Sequence, residues 1–214
     1  MFEEEYFHIY NRGVDKRSIF EEPKDVWRFL NSIREFNTTD PIGGMYIASL
    51  NKNKLRPPTS QLVSILTYCL NKNHFHFIMK AVSKDGIALF MQRLSGGYTK
   101  YYNEKYDRSG ALFQGKYKRQ LIETNEYLLH LSAYVNINDR AHRDLNPDWF
   151  THAPFSSFGE YLNTKQGMQL CQDIEIILEQ FSDTDAYKTF VEHSLTTTLD
   201  RKDREKELRR ICLE

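Results

Sequence analysis

The sequence predicts a mixed α+β protein, an antiparallel sheet with helices packed on it and a helical extension at the C-terminus. Three observations predict this. A chain of 214 residues that is 40% apolar and 14% aromatic has material for a core of domain size. Two short apolar runs, Leu62–Leu70 and His74–Met79, are separated only by Asn71, Lys72 and Asn73, a polar connection suited to a hairpin. On either side of that pair, apolar residues recur at the three-to-four spacing of amphipathic helices.

Taken in order, Tyr6-Phe-His-Ile-Tyr-Asn-Arg-Gly13 mixes aromatic and β-branched residues and ends in glycine, which predicts a first strand followed by a turn. Pro23 stands where a helix begins, and Val26, Phe29, Leu30, Ile33 and Phe36 mark its apolar stripe. Residues 38–60, with Pro41, Gly43, Gly44, Pro57 and Pro58, predict a loop or hairpin extension. The hairpin of the two apolar runs then forms a central antiparallel pair. After Asp85, a long helix is marked by Ile87, Phe90, Met91, Leu94, Tyr98, Tyr101 and Tyr102, despite Gly96 and Gly97.

Residues 108–115 read as a loop entering a strand over 116–122, where basic and apolar residues alternate. Thr124 or Asn125 caps a helix carrying Tyr127, Leu128, Leu131, Tyr134 and Val135 and running on through Asn138. Beyond it come an aromatic patch (Trp149, Phe150, Phe155, Phe158, Tyr161), a helix near 169–180 and a charged helical tail from Asp200. The expected organisation is one domain over 1–162 and a mostly helical extension over 163–214.

Composition narrows the classes of function. The N-terminus has neither a basic start nor an apolar run, and no segment approaches the roughly 18 apolar residues of a membrane span, so a cytoplasmic protein without a membrane partner is expected. Cys69, Cys171 and Cys212 are odd in number and widely spaced, the pattern of reduced thiols. The formal net charge of zero conceals a segregation: residues 51–122 carry thirteen basic and three acidic side chains, net +10, while 123–214 are net −7. A basic middle region rich in aromatics is a footprint suited to phosphate backbones, although a solvated surface has the same composition.

Two pairs of residues carry chemistry. In a strand His74 and His76 leave the same face, where two imidazoles can share one metal ion and keep other coordination positions open. On a helix Tyr134 and Asn138 also share a face, so a phenol and an amide point the same way. Cleaving a phosphodiester requires a nucleophile, neutralisation of developing charge and in-line alignment. His74, His76 and the Asn138 amide oxygen are metal-ligand candidates, and Tyr134 is the candidate nucleophile. Arg12 and Arg108, beside Gly13 and Gly110, are candidates for strand contact. Each residue has an ordinary reading as well: a packed His pair, a core tyrosine, an Asn helix cap, Arg residues near turns.

The ordered blocks Tyr10-Asn11-Arg12-Gly13, Asn73-His74-Phe75-His76, Gln92-Arg93-Leu94, Arg108-Ser109-Gly110 with Leu112-Phe113-Gln114-Gly115, Tyr134-Val135 with Ile137-Asn138, and Pro154-Phe155-Ser156-Ser157-Phe158 resemble those of the REP-associated tyrosine transposases. These are a branch of the single-tyrosine HUH transposases, and the resemblance spans roughly residues 6–162. It implies a ferredoxin-like or RRM-like antiparallel sheet with the His pair on a central strand. It also implies Mg²⁺ or Mn²⁺ held by His74, His76 and Asn138, a 5′-phosphotyrosine on Tyr134, and single-stranded DNA flanking a hairpin as partner. Asn11, Arg12 and Gly13 would contact that DNA, with Arg108, Lys116, Lys118 and Arg119 as further DNA-binding candidates; the protein would act as a monomer or homodimer. Asn136 and Asp139 stand where the family usually has His and Pro. They keep open a non-cleaving nucleic-acid binder of the same fold, and a metal hydrolase using water is a third reading.

Overall fold

The computed structural model describes residues 5–42, 61–142, 147–148, 155–164 and 168–211, with side chains described up to residue 199. The chain runs β1 (Tyr6–Arg12), α1 (Pro23–Phe36), β2 (Val63–Asn71), β3 (His74–Ala81), α2 (Gly86–Lys105) and β4 (Lys118–Leu121). The strands form one antiparallel sheet in the order β2-β3-β1-β4, the ferredoxin-like βαββαβ arrangement. After β4 come α3 (Asn125–Asn136), α4 (Asn138–Ala141), α5 (Phe158–Tyr161), α6 (Glu175–Leu178) and α7 (Thr184–Ile211).

Strand alternation sends two sets of side chains to opposite faces, and each face has its own core. Phe7, Ile9, Phe75, Phe77 and Met79 point to the layer of α1 and α2, where Phe29, Leu30, Ile33, Phe90, Leu94 and Tyr98 meet them. α1 begins at Pro23 behind a capping box of Glu22 and Asp25, which satisfies backbone N–H groups that the first turn cannot pair internally. Its predicted apolar stripe is the buried one, each large side chain contributing about 1.5–3 kcal/mol of transfer free energy. α2 continues unbroken through Gly96 and Gly97. A Cβ on Gly97 would lie 2.7 Å from the Phe36 ring, so this glycine lets α1 and α2 approach closely.

The other face is covered by the second half of the chain. Tyr6 and Ile78 pack there with Leu128, Leu131 and Val135 of α3, Phe158 and Tyr161 of α5, Ile177 of α6, and Tyr187 and Val191 of α7. Thr124 caps α3, its hydroxyl accepting from the Tyr127 backbone N–H at 3.1 Å.

Four expectations are corrected. β3 is central, but β2 is an edge strand; it is buried throughout because residues 155–157 and 172 run along it, Leu70 N–H donating to Phe155 O, Ser157 N–H to Tyr68 O and Gln172 N–H to Ile65 O. The strand expected over 116–122 is only Lys118–Leu121, an edge strand paired with β1 alone, and all its residues are exposed. The helix near 169–180 shrinks to Glu175–Leu178, because Gln169 and Asp173 adopt left-handed backbone (φ 51° and 57°) that interrupts helical hydrogen bonding. The tail helix starts at Thr184, not Asp200. Gly43, Gly44, Pro57, Pro58, Trp149, Phe150, Pro154 and Cys212 lie outside the described residues. Among the described residues, no helix is long and apolar enough to cross a membrane.

Candidate functional site

β-register decides which side chains meet. Tyr10 pairs with His76, which pairs with Cys69; Arg12 pairs with His74, which pairs with Asn71; Lys118 pairs with Tyr10. Counting by twos along β1 and β3 therefore puts His8, Tyr10, Arg12, His74 and His76 on one face, the face that α3 covers. The rings pack against each other: His74 and His76 have centroids 5.1 Å apart and perpendicular, and Tyr10 stacks on His76 at 5.7 Å.

Hydrogen bonds orient both imidazoles. Asn73 Nδ2 donates to the Lys16 carbonyl at 3.1 Å, which turns its amide oxygen toward His74 Nδ1 at 2.6 Å. An amide oxygen only accepts, so His74 donates to it through Nδ1. The other ring nitrogen, Nε2, lies 3.2 Å from Asn138 Oδ1. Asn71 Nδ2 reaches both, at 3.2 Å from His74 Nε2 and 2.8 Å from Asn138 Oδ1. His76 Nδ1 is 2.9 Å from His8 Nε2.

Burial pushes His8 down to about 4, and burial together with the nearby His74, His8 and His142 pushes His76 well below the usual imidazole range. Both are neutral at physiological pH, the protonation state a metal ligand needs.

Tyr134 lies on α3 with its ring 6.0 Å from His76, perpendicular to it. The structure thus brings the phenol to the face that holds the two imidazoles. Asn138 also arrives there, but by another route than expected. α3 ends at Asn136, Ile137 leaves helical geometry (φ −114°, ψ 4°), and Asn138 opens the separate turn α4. The four-residue helical spacing to Tyr134 is therefore not what aligns the two; the Ile137 carbonyl, accepting from Arg140 and Ala141 N–H groups, rebuilds a turn in a new direction. Asn138 is fully buried, and its Nδ2 has no hydrogen-bond partner among the described residues.

A cavity of about 570 Å³ opens beside the imidazoles. Asn11, Arg12, Lys16, Gln114, Lys118 and His142 are among its lining residues. Gly13 sits at its edge: its N–H donates to Asn73 O at 2.8 Å, and a Cβ there would overlap the Arg17 carbonyl. The remaining basic candidates lie elsewhere. Arg108 donates to Asn103 Oδ1 and stacks on Tyr102 at the end of α2. Arg119 covers the Phe7 ring at 3.7 Å on the opposite face of the sheet. Lys116 is exposed beside Tyr117.

Residues 58–138 match the family model described as "Transposase IS200 like". Over this segment the chain is similar to the IS200-like transposases. The IS200-like segment runs from just before β2 through α3 to Asn138, so it includes His74, His76, Tyr134 and Asn138 and excludes β1. No curated protein matches the chain. Among solved structures, the chain is similar to a REP-associated tyrosine transposase bound to a REP hairpin, with 13% identity, a TM-score of 0.46, and 80% of this chain and 87% of that chain covered.

The donor set fits a divalent cation. Imidazole nitrogens and an amide oxygen are donor types that Mg²⁺ or Mn²⁺ accepts, and here His74 Nε2 and Asn138 Oδ1 lie 3.2 Å apart. The Asn71 hydrogen bond holds the Asn138 oxygen toward His74 and leaves its buried Nδ2 unpaired, a desolvation cost of about 1–3 kcal/mol. Among the described residues, no group of three or more His, Cys, Asp or Glu has metal-binding geometry. Sequence reasoning missed His8, Tyr10, Asn71 and His142. The first two were accessible by counting in twos along the first strand; Asn71 and His142 carry no local signal.

Proposed function

We propose that this protein is a single-tyrosine transposase and endonuclease of the HUH kind, which cleaves and rejoins single-stranded DNA beside hairpins. One observation carries this reading: a phenol from α3 and an imidazole couple from β3 face one another beside a cavity lined by Arg12, Lys16 and Lys118. The similarity of residues 58–138 to IS200-like transposases supports it.

In this reading Tyr134 Oη attacks the scissile phosphorus and displaces the 3′ oxygen, which leaves as a free hydroxyl. The 5′ phosphate stays on the tyrosine, so the bond energy is kept for rejoining when a 3′ hydroxyl attacks the phosphotyrosine. His74 and His76 through their Nε2 atoms, with Asn138 through Oδ1, would hold Mg²⁺ or Mn²⁺, which when bound supplies charge neutralisation at the phosphate oxygens. Arg12, Lys16 and Lys118 anchor neighbouring phosphates, and Asn11 and Gly13 shape the rim against the strand. Arg108, Lys116 and Arg119, set away from the cavity, would meet only the outlying part of a folded hairpin. We assign the catalytic unit to residues 1–162, with 163–214 as its extension, acting in the cytoplasm.

The test is covalent capture. Protein, Mn²⁺ and a labelled hairpin oligonucleotide with single-stranded flanks yield an adduct that survives denaturation, and chelation of Mn²⁺ or Tyr134→Phe abolishes it. An adduct that persists in Tyr134→Phe rejects the assignment. Binding without any adduct in the wild-type protein selects the non-cleaving binder, and cleavage that tolerates Tyr134→Phe but not His76→Ala selects a water-using hydrolase.

A further inference from the structure

The metal reading of this site leaves one buried imidazole without a role. We propose that His8 is a positioning residue that holds His76 with its proton on Nδ1, so that Nε2 is the atom presented to the divalent cation. The proposal rests on the metal reading above and concerns β1, which lies outside the IS200-like segment.

The geometry at His8 is specific. Its Nε2 is 2.9 Å from His76 Nδ1, and the rings stack with centroids 5.2 Å apart and planes 17° apart. The position is buried on a face where Tyr6 and Ile78 pack into an apolar core, so a hydrophobic side chain would fill it at lower desolvation cost. What the imidazole adds is a hydrogen bond to one named ring nitrogen. The same device appears independently at the other histidine, where Asn73 Oδ1 engages His74 Nδ1 at 2.6 Å and is itself oriented through the Lys16 carbonyl. Two imidazoles on one strand are thus tied at Nδ1 by groups from β1 and from the hairpin turn. Such outer partners fix the tautomer and ring orientation of metal-ligating histidines.

Two measurements on the full chain test this. In the metal-free wild-type protein, ¹⁵N long-range correlation spectra of the imidazole rings show His76 protonated at Nδ1 and unprotonated at Nε2; the reverse tautomer overturns the proposal, whether or not any variant folds. Electron paramagnetic resonance then reads Mn²⁺ affinity directly. His8→Phe, which keeps the ring volume and loses the acceptor, weakens Mn²⁺ binding by about 10- to 100-fold, while His8→Gln, which keeps an acceptor, stays within about threefold of wild type. Unchanged affinity in a folded His8→Phe overturns this proposal alone. Absence of Mn²⁺ binding by the wild-type protein overturns the metal reading, and this proposal with it.

Discussion

Asn136 is fully buried, and its side chain joins three elements. Its Nδ2 donates to the Tyr187 hydroxyl at 2.7 Å and its Oδ1 accepts from Ser157 Oγ at 2.6 Å, while Ser157 Oγ also receives the Tyr68 backbone N–H at 2.9 Å. The last residue of the helix that carries Tyr134 is therefore pinned both to α7 and to the edge of the sheet. A buried chain of this kind is costly to interrupt, because each loss strands a partner in a dry environment. Asn136→Ala and Tyr187→Phe are each expected to destabilise the protein by about 1–3 kcal/mol in urea unfolding. The double variant is expected to cost less than the sum, with a coupling of about 0.5–3 kcal/mol in a double-mutant cycle; additive losses would reject a direct link. The residue type at position 136 is legible in the sequence, but its partners Tyr187 and Ser157 are 51 and 21 positions away, so its role is not.

Helix packing explains two adjacent glycines differently. Gly97 faces Phe36 across the α1–α2 contact, whereas nothing lies within 4 Å of a Cβ at Gly96. Gly97→Val should therefore overpack the contact and lower stability by about 1–3 kcal/mol. Gly96→Ala should raise it by about 0.5–1 kcal/mol through helix propensity, and thermal unfolding of the two variants measures both. Equal effects at the two positions would contradict the packing. Element identity was readable from periodicity in β1, α1, β2, β3, α2 and α3, where long apolar patterns leave little choice. It was not readable in the C-terminal part, where α7 buries Tyr187 and Val191 among side chains that, over residues 184–199, are otherwise largely exposed. The break at Ile137 also escaped, because Val135, Asn136, Ile137 and Asn138 are all buried and present no amphipathic stripe to follow.

Across the whole molecule, the layer of α1 and α2 is closed by a buried charge. Asp25 accepts hydrogen bonds from Tyr101 and Tyr106 hydroxyls, from Glu21 and Glu22 backbone N–H groups and from the Lys105 ammonium. Burial pushes its pKa upward, but these donors outweigh burial and hold it below the ordinary carboxylate value of 3.8. With the folded value depressed, the carboxylate's contribution is fully present above 3.8 and is lost as pH falls through the lower folded value. Urea midpoints of the wild-type protein are therefore expected to fall toward those of Asp25→Asn as the pH drops from neutral to about 2, and a gap independent of pH would contradict this. The sequence by itself determined the βαββαβ core, the same-face placement of His74 and His76, and the basic middle region, because strand period, helix period and charge act over a few neighbouring residues. Only the tertiary structure decided that Tyr134 meets the imidazoles, that Asn138 reaches His74 from a separate turn, and that His8, Asn71 and Asn73 hold the site from β1, the β2 edge and a hairpin turn. The physical reason is that hydrogen bonds between buried polar groups depend on sheet order and register, which bring residues as far apart as His8 and His76 to within 2.9 Å.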